Sequence, residues 1–175
     1  IYDVLAYHGP FSVKAVGIQH LGAYRMSEFM RARFNGFPPL WRWALAPGLA
    51  LGMPRLLFLP NFLALVILVW SARRSLFLPW WLSTAAAFIY PISLFGFRSA
   101  YQDFFVAALI CAGILTLISA LRASSAQHSA LAVLLLCLAS LTKYQGLFQA
   151  VLAIILAMSA VLFLHLHQGR LLWSL

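Results

Sequence analysis

From residue 57 onward the chain is a row of almost uncharged apolar blocks, at 57–72, 76–97, 103–121, 129–142 and 147–166, parted by short polar breaks. Each holds about 14 to 22 residues, against the roughly 20 that carry a helix across a hydrocarbon core, with 129–142 the short one. Such blocks leave no polar face to turn toward water. The composition agrees, with 64% hydrophobic residues, 9% charged residues and a mean hydropathy of +0.94. Soluble domains are nearer half apolar and a quarter charged, so a soluble globular domain is excluded. Disorder, collagen and coiled coil fall with it, because 14 Phe, 6 Trp and 6 Tyr occur without a repeat period. The expected fold is all-α, a polytopic membrane helix bundle. Pro60, Pro79 and Pro91 inside the blocks are tolerated where neighbouring helices satisfy the freed carbonyls. Cys111 and Cys137 lie in apolar runs and read as small packing residues.

Residues 1–56 differ from the rest. Between Phe11 and Phe34, apolar Val13, Val16, Leu21, Phe29 and Met30 alternate at helical spacing with Lys14, Arg25, Glu28, Arg31 and Arg33. That pattern predicts a helix lying along the membrane surface. Phe37-Pro38-Pro39-Leu40 opens a second short helix, which Pro47-Gly48 and Gly52-Met53-Pro54 interrupt before it could cross a bilayer. The organisation expected is an extracytoplasmic segment with interfacial helices over 1–56, then a transmembrane bundle over 57–175. Ile1 replaces an initiator Met and Leu171-Leu172-Trp173 begins a further apolar run, so the chain reads as a fragment of a longer one.

The net charge of +9 comes from 12 Lys and Arg against 3 acids. The basic residues sit in bends and at block ends, as anchors against anionic lipid headgroups do, and no nucleic-acid partner is expected. Alternation of blocks sorts the breaks onto two sides. One side takes residues 1–56, Arg98 to Asp103 and Lys143 to Gly146; the other takes Ser71 to Arg74, Arg122 to His128 and His165 to Arg170. All three acids, Asp3, Glu28 and Asp103, fall on the first side. Arg42, Arg55, Arg98 and Lys143 balance Arg73, Arg74, Arg122 and Arg170, so charge alone does not set the orientation.

Few residues here can do chemistry. Asp3, in Tyr2-Asp3 followed by Tyr7-His8, is a carboxylate near a bilayer surface that could act as general base on a hydroxyl; a cap or a solvated loop acid is the plainer reading. Asp103 opens a helical block and suits the positive end of a helix dipole, yet Arg98, Tyr101 and Gln102 crowd the same loop in a mixture that suits a phosphate or a sugar hydroxyl. Lys143, next to Tyr144, is either a snorkelling anchor or a third member of that group. His165 and His167 are two apart with no other metal ligand nearby, and read as interface residues. Phosphate-loop, serine-elbow and zinc-peptidase motifs are missing from the sequence.

The order of these pieces resembles the membrane glycosyltransferases of the type C fold, the superfamily of protein O-mannosyltransferases and aminoarabinose transferases. The matching features are Tyr2-Asp3 with Tyr7-His8, an interfacial helix, and Phe37-Pro38-Pro39-Leu40 opening a short helix. After them come Arg55 ahead of a span closing on Ala72-Arg73-Arg74, a span ending in Pro91 then Arg98-x-x-Tyr101-x-Asp103, and Leu138-Ala-Ser-Leu-Thr-Lys143-Tyr144-x-Gly146. The resemblance implies transfer of a sugar from a polyprenyl-phosphate donor to a hydroxyl or amine on a lipid, glycan or protein acceptor, at the outer face of a bacterial inner membrane. It implies Asp3 as general base and Arg98, Asp103 and Lys143 on the donor phosphate, with Tyr2, His8, Tyr101 and Tyr144 in support. It leaves open a divalent cation, Mg or Mn, on Asp3 and Asp103. The rival expectations are a transporter or flippase for a lipid-linked or anionic solute, with Arg98, Asp103 and Lys143 lining its path, and a structural subunit whose charges are anchors.

Overall fold

A computed structural model describes residues 28, 29, 32, 40–88, 102–123 and 125–173. All regular structure among them is helical, as the apolar blocks predict. In chain order the elements are α1 (Leu40–Ala50), a 3-10 turn (Pro54–Phe58), α2 (Leu59–Leu76), α3 (Trp80–Phe88), α4 (Gln102–Ala123), α5 (Ala126–Thr142) and α6 (Tyr144–Trp173). The interfacial helix expected over 11–34 falls almost wholly outside the described residues.

Local chemistry explains most of the boundaries. The prolines at 54 and 60 stand in the first turns of the 3-10 turn and α2, where a missing N–H costs nothing. Ser125 caps α5 by accepting from the backbone N–H of His128 (3.4 Å). Asp103 stands in the first turn of α4 and Arg122 in its last, each at the helix end whose dipole favours its charge.

Four expected breaks are corrected, and the one from Arg122 to His128 narrows, since Arg122 and Ala123 end α4 and Ala126 opens α5. Ser71 to Arg74 belong to the last turns of α2, and the reversal lies at Phe77–Pro79. Arginines are welcome at a helix C-terminus, whereas Pro79 disfavours helix in the residue before it, and Phe77 ends α2 in the left-handed region (φ 57°). The break at 142–146 shrinks to Lys143 alone, and the backbone from His165 to Arg170 continues α6.

Contacts fix the directions. Ser71 faces Thr116 and Ser75 faces Ser119, so α2 and α4 run parallel. Lys143, just past the end of α5, reaches Asp103 at the start of α4, so α4 and α5 run antiparallel. Gly146 in the first turn of α6 packs on Ala139 of α5, and α6 turns back alongside it. One end of the bundle therefore gathers the starts of α2, α4 and α6 with the end of α5. The other gathers the ends of α2 and α4 with the starts of α3 and α5. Among the described residues, Asp103 and Lys143 therefore share one end and Arg73, Arg74 and Arg122 the other, as the alternation of blocks predicts for them.

Packing is close where side chains are small. Ala112, Gly113, Ala132 and Ala139 line the α4–α5 seam, and a Cβ on Gly113 would come within 2.9 Å of the Leu136 side chain. Around these, Val106, Leu109, Leu135, Leu136, Ala150 and Ala153 form the main core. A second cluster joins Ala64, Leu65 and Val69 of α2 to Phe104 and Ala108 of α4. Among the described residues, two helical stretches, Leu56–Leu76 and Gln102–Ala123, are long and apolar enough to cross a membrane. Outside the core, Phe62, Leu63 and Val66 of α2, Val133 and Leu134 of α5, and Phe148, Leu152, Ile155 and Leu156 of α6 are exposed. Exposed large apolar side chains on three helices suit a surface that faces lipid or further helices.

Candidate functional site

At the end of the bundle where α2, α4 and α6 begin, the Lys143 ammonium donates to Asp103 Oδ1 in an ion pair. Asp103 is largely exposed, its side chain 67% accessible, while that of Lys143 is 24% accessible. An exposed pair of this kind contributes about 0–1 kcal/mol to stability, so its significance is placement rather than energy. Each partner is placed by backbone. Asp103 is held by the first turn of α4. Lys143 is extended (φ −154°, ψ 145°) between two helices, its N–H donating to Ala139 O (3.3 Å) and its carbonyl accepting from Gly146 N–H (2.9 Å).

That one-residue junction depends on Gly146. A Cβ there would lie 2.7 Å from the Ala139 carbonyl carbon and closer still to its oxygen, so only glycine lets α6 start against α5. The neighbouring hydroxyls are turned inward. Ser140 Oγ donates to Leu136 O (2.9 Å) and Thr142 Oγ1 to Leu138 O (2.8 Å), each bonding back to its own helix.

α1 closes one side of this end. Trp41 is buried and meets Phe105 of α4 at 5.4 Å between ring centroids, two residues from Asp103; Leu45 and Leu57 complete the contact. Arg42, the next residue, is half-buried, and burial lowers its pKa from the usual guanidinium value. Read as sequence, Arg42 is one anchor among several; its flanking pair Trp41 and Trp43 is the signal that sets it apart.

Of the residues singled out from sequence, the structure brings Asp103 and Lys143 together and places exposed Tyr144 beside the latter. Tyr2, Asp3, His8, Arg98 and Tyr101 lie outside the described residues. Among the described residues there is no group of three or more His, Cys, Asp or Glu side chains. Asp3, the other half of the cation pair left open above, lies outside the described residues, and Asp103 paired with Lys143 is one carboxylate, too few by itself to hold a divalent cation. Lys143 has two N–H donors left beyond its bond to Asp103, which an acceptor such as a phosphate oxygen could take.

No family model, no curated protein and no solved structure matches this chain. What the site does is then a matter of its chemistry and position. The charged side chains described on α2 and α4, with Lys143 between α5 and α6, all stand at helix ends. Toward the opposite end the polar contacts are uncharged: Thr116 Oγ1 donates to Ala112 O (2.8 Å) and lies 3.5 Å from Ser71 Oγ.

Proposed function

We propose that this chain is part of a multi-pass glycosyltransferase of the bacterial inner membrane, of the type C kind, moving a sugar from a polyprenyl-phosphate donor to a hydroxyl or amine acceptor at the extracytoplasmic face. The observation that carries the reading is the Asp103–Lys143 pair at one end of the bundle, on the side where α1 docks. Its position supports a lipid-phosphate site, because a polyprenyl phosphate presents its charge at the headgroup level and its tail to the apolar faces of the helices.

In this reading Lys143, with Arg98, holds the donor phosphate, and Asp103 orients the Lys143 ammonium. As the glycosidic bond breaks, the bonding pair leaves with the phosphate oxygen, and negative charge grows where a fixed cation already stands. Asp3 takes the proton from the acceptor hydroxyl or amine as that atom bonds to the anomeric carbon. α1 forms one wall beside the lipid tail. The transporter reading places its charges near mid-membrane, and the grouping of charge at helix ends favours the transferase.

The test uses full-length protein in liposomes with a radiolabelled polyprenyl-phosphate sugar and a mixture of candidate acceptors. Wild type is expected to release polyprenyl phosphate and label an acceptor, and Asp3→Asn to lose about 100-fold or more of that rate, the scale of a missing general base. Donor that moves between leaflets with its sugar bond intact, at the same rate in both proteins, overturns the transferase in favour of the transporter.

A further inference from the structure

The end of the bundle opposite Asp103 carries a second cluster, which the proposed reaction leaves unused. Arg73 and Arg74 close α2, and Arg122 closes α4. The three are gathered within about one turn of one another, because Arg122 Nη1 donates to the carbonyl of Ser75 (2.8 Å), the residue after Arg74. Ser119 Oγ donates to Ser75 Oγ (2.8 Å) at the same level and ties the two helix ends together.

These arginines are restrained. The Arg73 guanidinium lies over the Trp80 ring, 4.5 Å from its centroid, and that of Arg74 lies 5.8 Å from the Trp70 centroid, both within cation–π range. A guanidinium stacked on a ring, or pinned to a carbonyl, has lost much of its rotamer freedom before any ligand arrives, which removes part of the cost of binding. Arg122 spends one donor of five on Ser75, and the planar fork that remains suits a phosphate.

The surroundings say which phosphate. Asp103, the acid of α4, is about 28 Å away along that helix at 1.5 Å per residue, and Glu28, the other described acid, precedes α1 in the chain. Phe77, Trp80 and Trp81, in and just after the reversal that follows α2, are exposed. Exposed aromatic rings beside cations match the boundary between headgroups and acyl chains. A soluble phosphate compound would gain nothing from that apolar rim, and an acyl chain would.

We propose that Arg73, Arg74 and Arg122, with the Trp70–Trp81 aromatics, form a binding site for the headgroup of an anionic phospholipid at the end of the bundle opposite Asp103 and Lys143. It rests on the membrane placement given above but not on sugar transfer, and binding is read without turnover.

Delipidated full-length protein in neutral detergent, titrated with dioleoylphosphatidylglycerol or dioleoylphosphatidylcholine and read by native mass spectrometry, tests this. Wild type is expected to retain phosphatidylglycerol in preference. Arg73→Gln/Arg74→Gln should weaken that retention roughly 30-fold, the scale for two interfacial cations, and leave phosphatidylcholine unchanged. Arg73→Lys/Arg74→Lys keeps the charges but loses the ring-stacked guanidinium groups, and should bind between wild type and the glutamine variant. Asp103→Asn, at the far end, should bind as wild type does while sugar transfer falls. Equal retention of both lipids by wild type, or undiminished phosphatidylglycerol in the glutamine variant, would overturn the site. Displacement of phosphatidylglycerol by an equal concentration of inorganic phosphate would overturn the lipid assignment in favour of a soluble phosphate ligand.

Discussion

Gly146→Ala lowers thermal stability by about 3 kcal/mol or more, beyond ordinary overpacking, because the added methyl meets backbone rather than a side chain that can rotate away. The Ala139 carbonyl it would strike belongs to the last turn of α5, and α6 begins at Tyr144, with Lys143 as the only linker after Thr142. To admit a Cβ the two helices must separate, which loosens Ala150 and Ala153 of α6 from the core cluster they share with Leu135, Leu136 and Ala139. For a chain of this size the cost corresponds to a fall in Tm of roughly 6–12 °C. Gln145→Ala, one residue away and exposed, should move Tm little. Heating both variants in detergent and following helix content checks the difference; equal behaviour would mean that the α5–α6 junction tolerates a side chain.

The second large effect falls on activity. Lys143→Met is expected to reduce sugar transfer by about 100-fold to 1000-fold, the scale set by removing one fixed donor from a developing anion. Stability should change by no more than about 1 kcal/mol, because the ion pair is exposed on the Asp103 side. The loss should fall mainly on kcat, since the charge on the leaving phosphate grows between ground state and transition state. Lys143→Arg keeps the cation and should retain most of the rate. A Lys143→Met enzyme of unchanged rate would reduce the residue to an anchor.

Much of the architecture is legible in the sequence because long apolar runs impose a coarse rule. Apolar runs such as 103–121 and 129–142 have one way to satisfy their backbone, and α4 and α5 form where those runs lie. Counting runs also sends Asp103 and Lys143 to the same side, where they meet. The ends of the elements are harder to read. Arg73 and Arg74 resemble a loop by charge, yet a helix C-terminus welcomes them, and the reversal waits for Phe77–Pro79. Thr142 to Gly146 also resembles a loop, with Lys143, Gln145 and Gly146 in a row. Its contraction to a single residue follows from the approach of Gly146 to Ala139, a tertiary contact with no local sequence signal. The docking of Trp41 on Phe105 is another such contact, and it brings Arg42 to the Asp103 end of the bundle.

The most direct measurement is photocrosslinking of the full-length protein with a polyprenyl phosphate bearing a diazirine on its first isoprene unit, followed by peptide mapping. The account predicts crosslinks at residues 102–105 and 142–146, around the Asp103–Lys143 pair, competed by excess unlabelled polyprenyl phosphate. Crosslinks at 112–116, midway along α4, or at 71–75 and 119–122, at the opposite end, would contradict it.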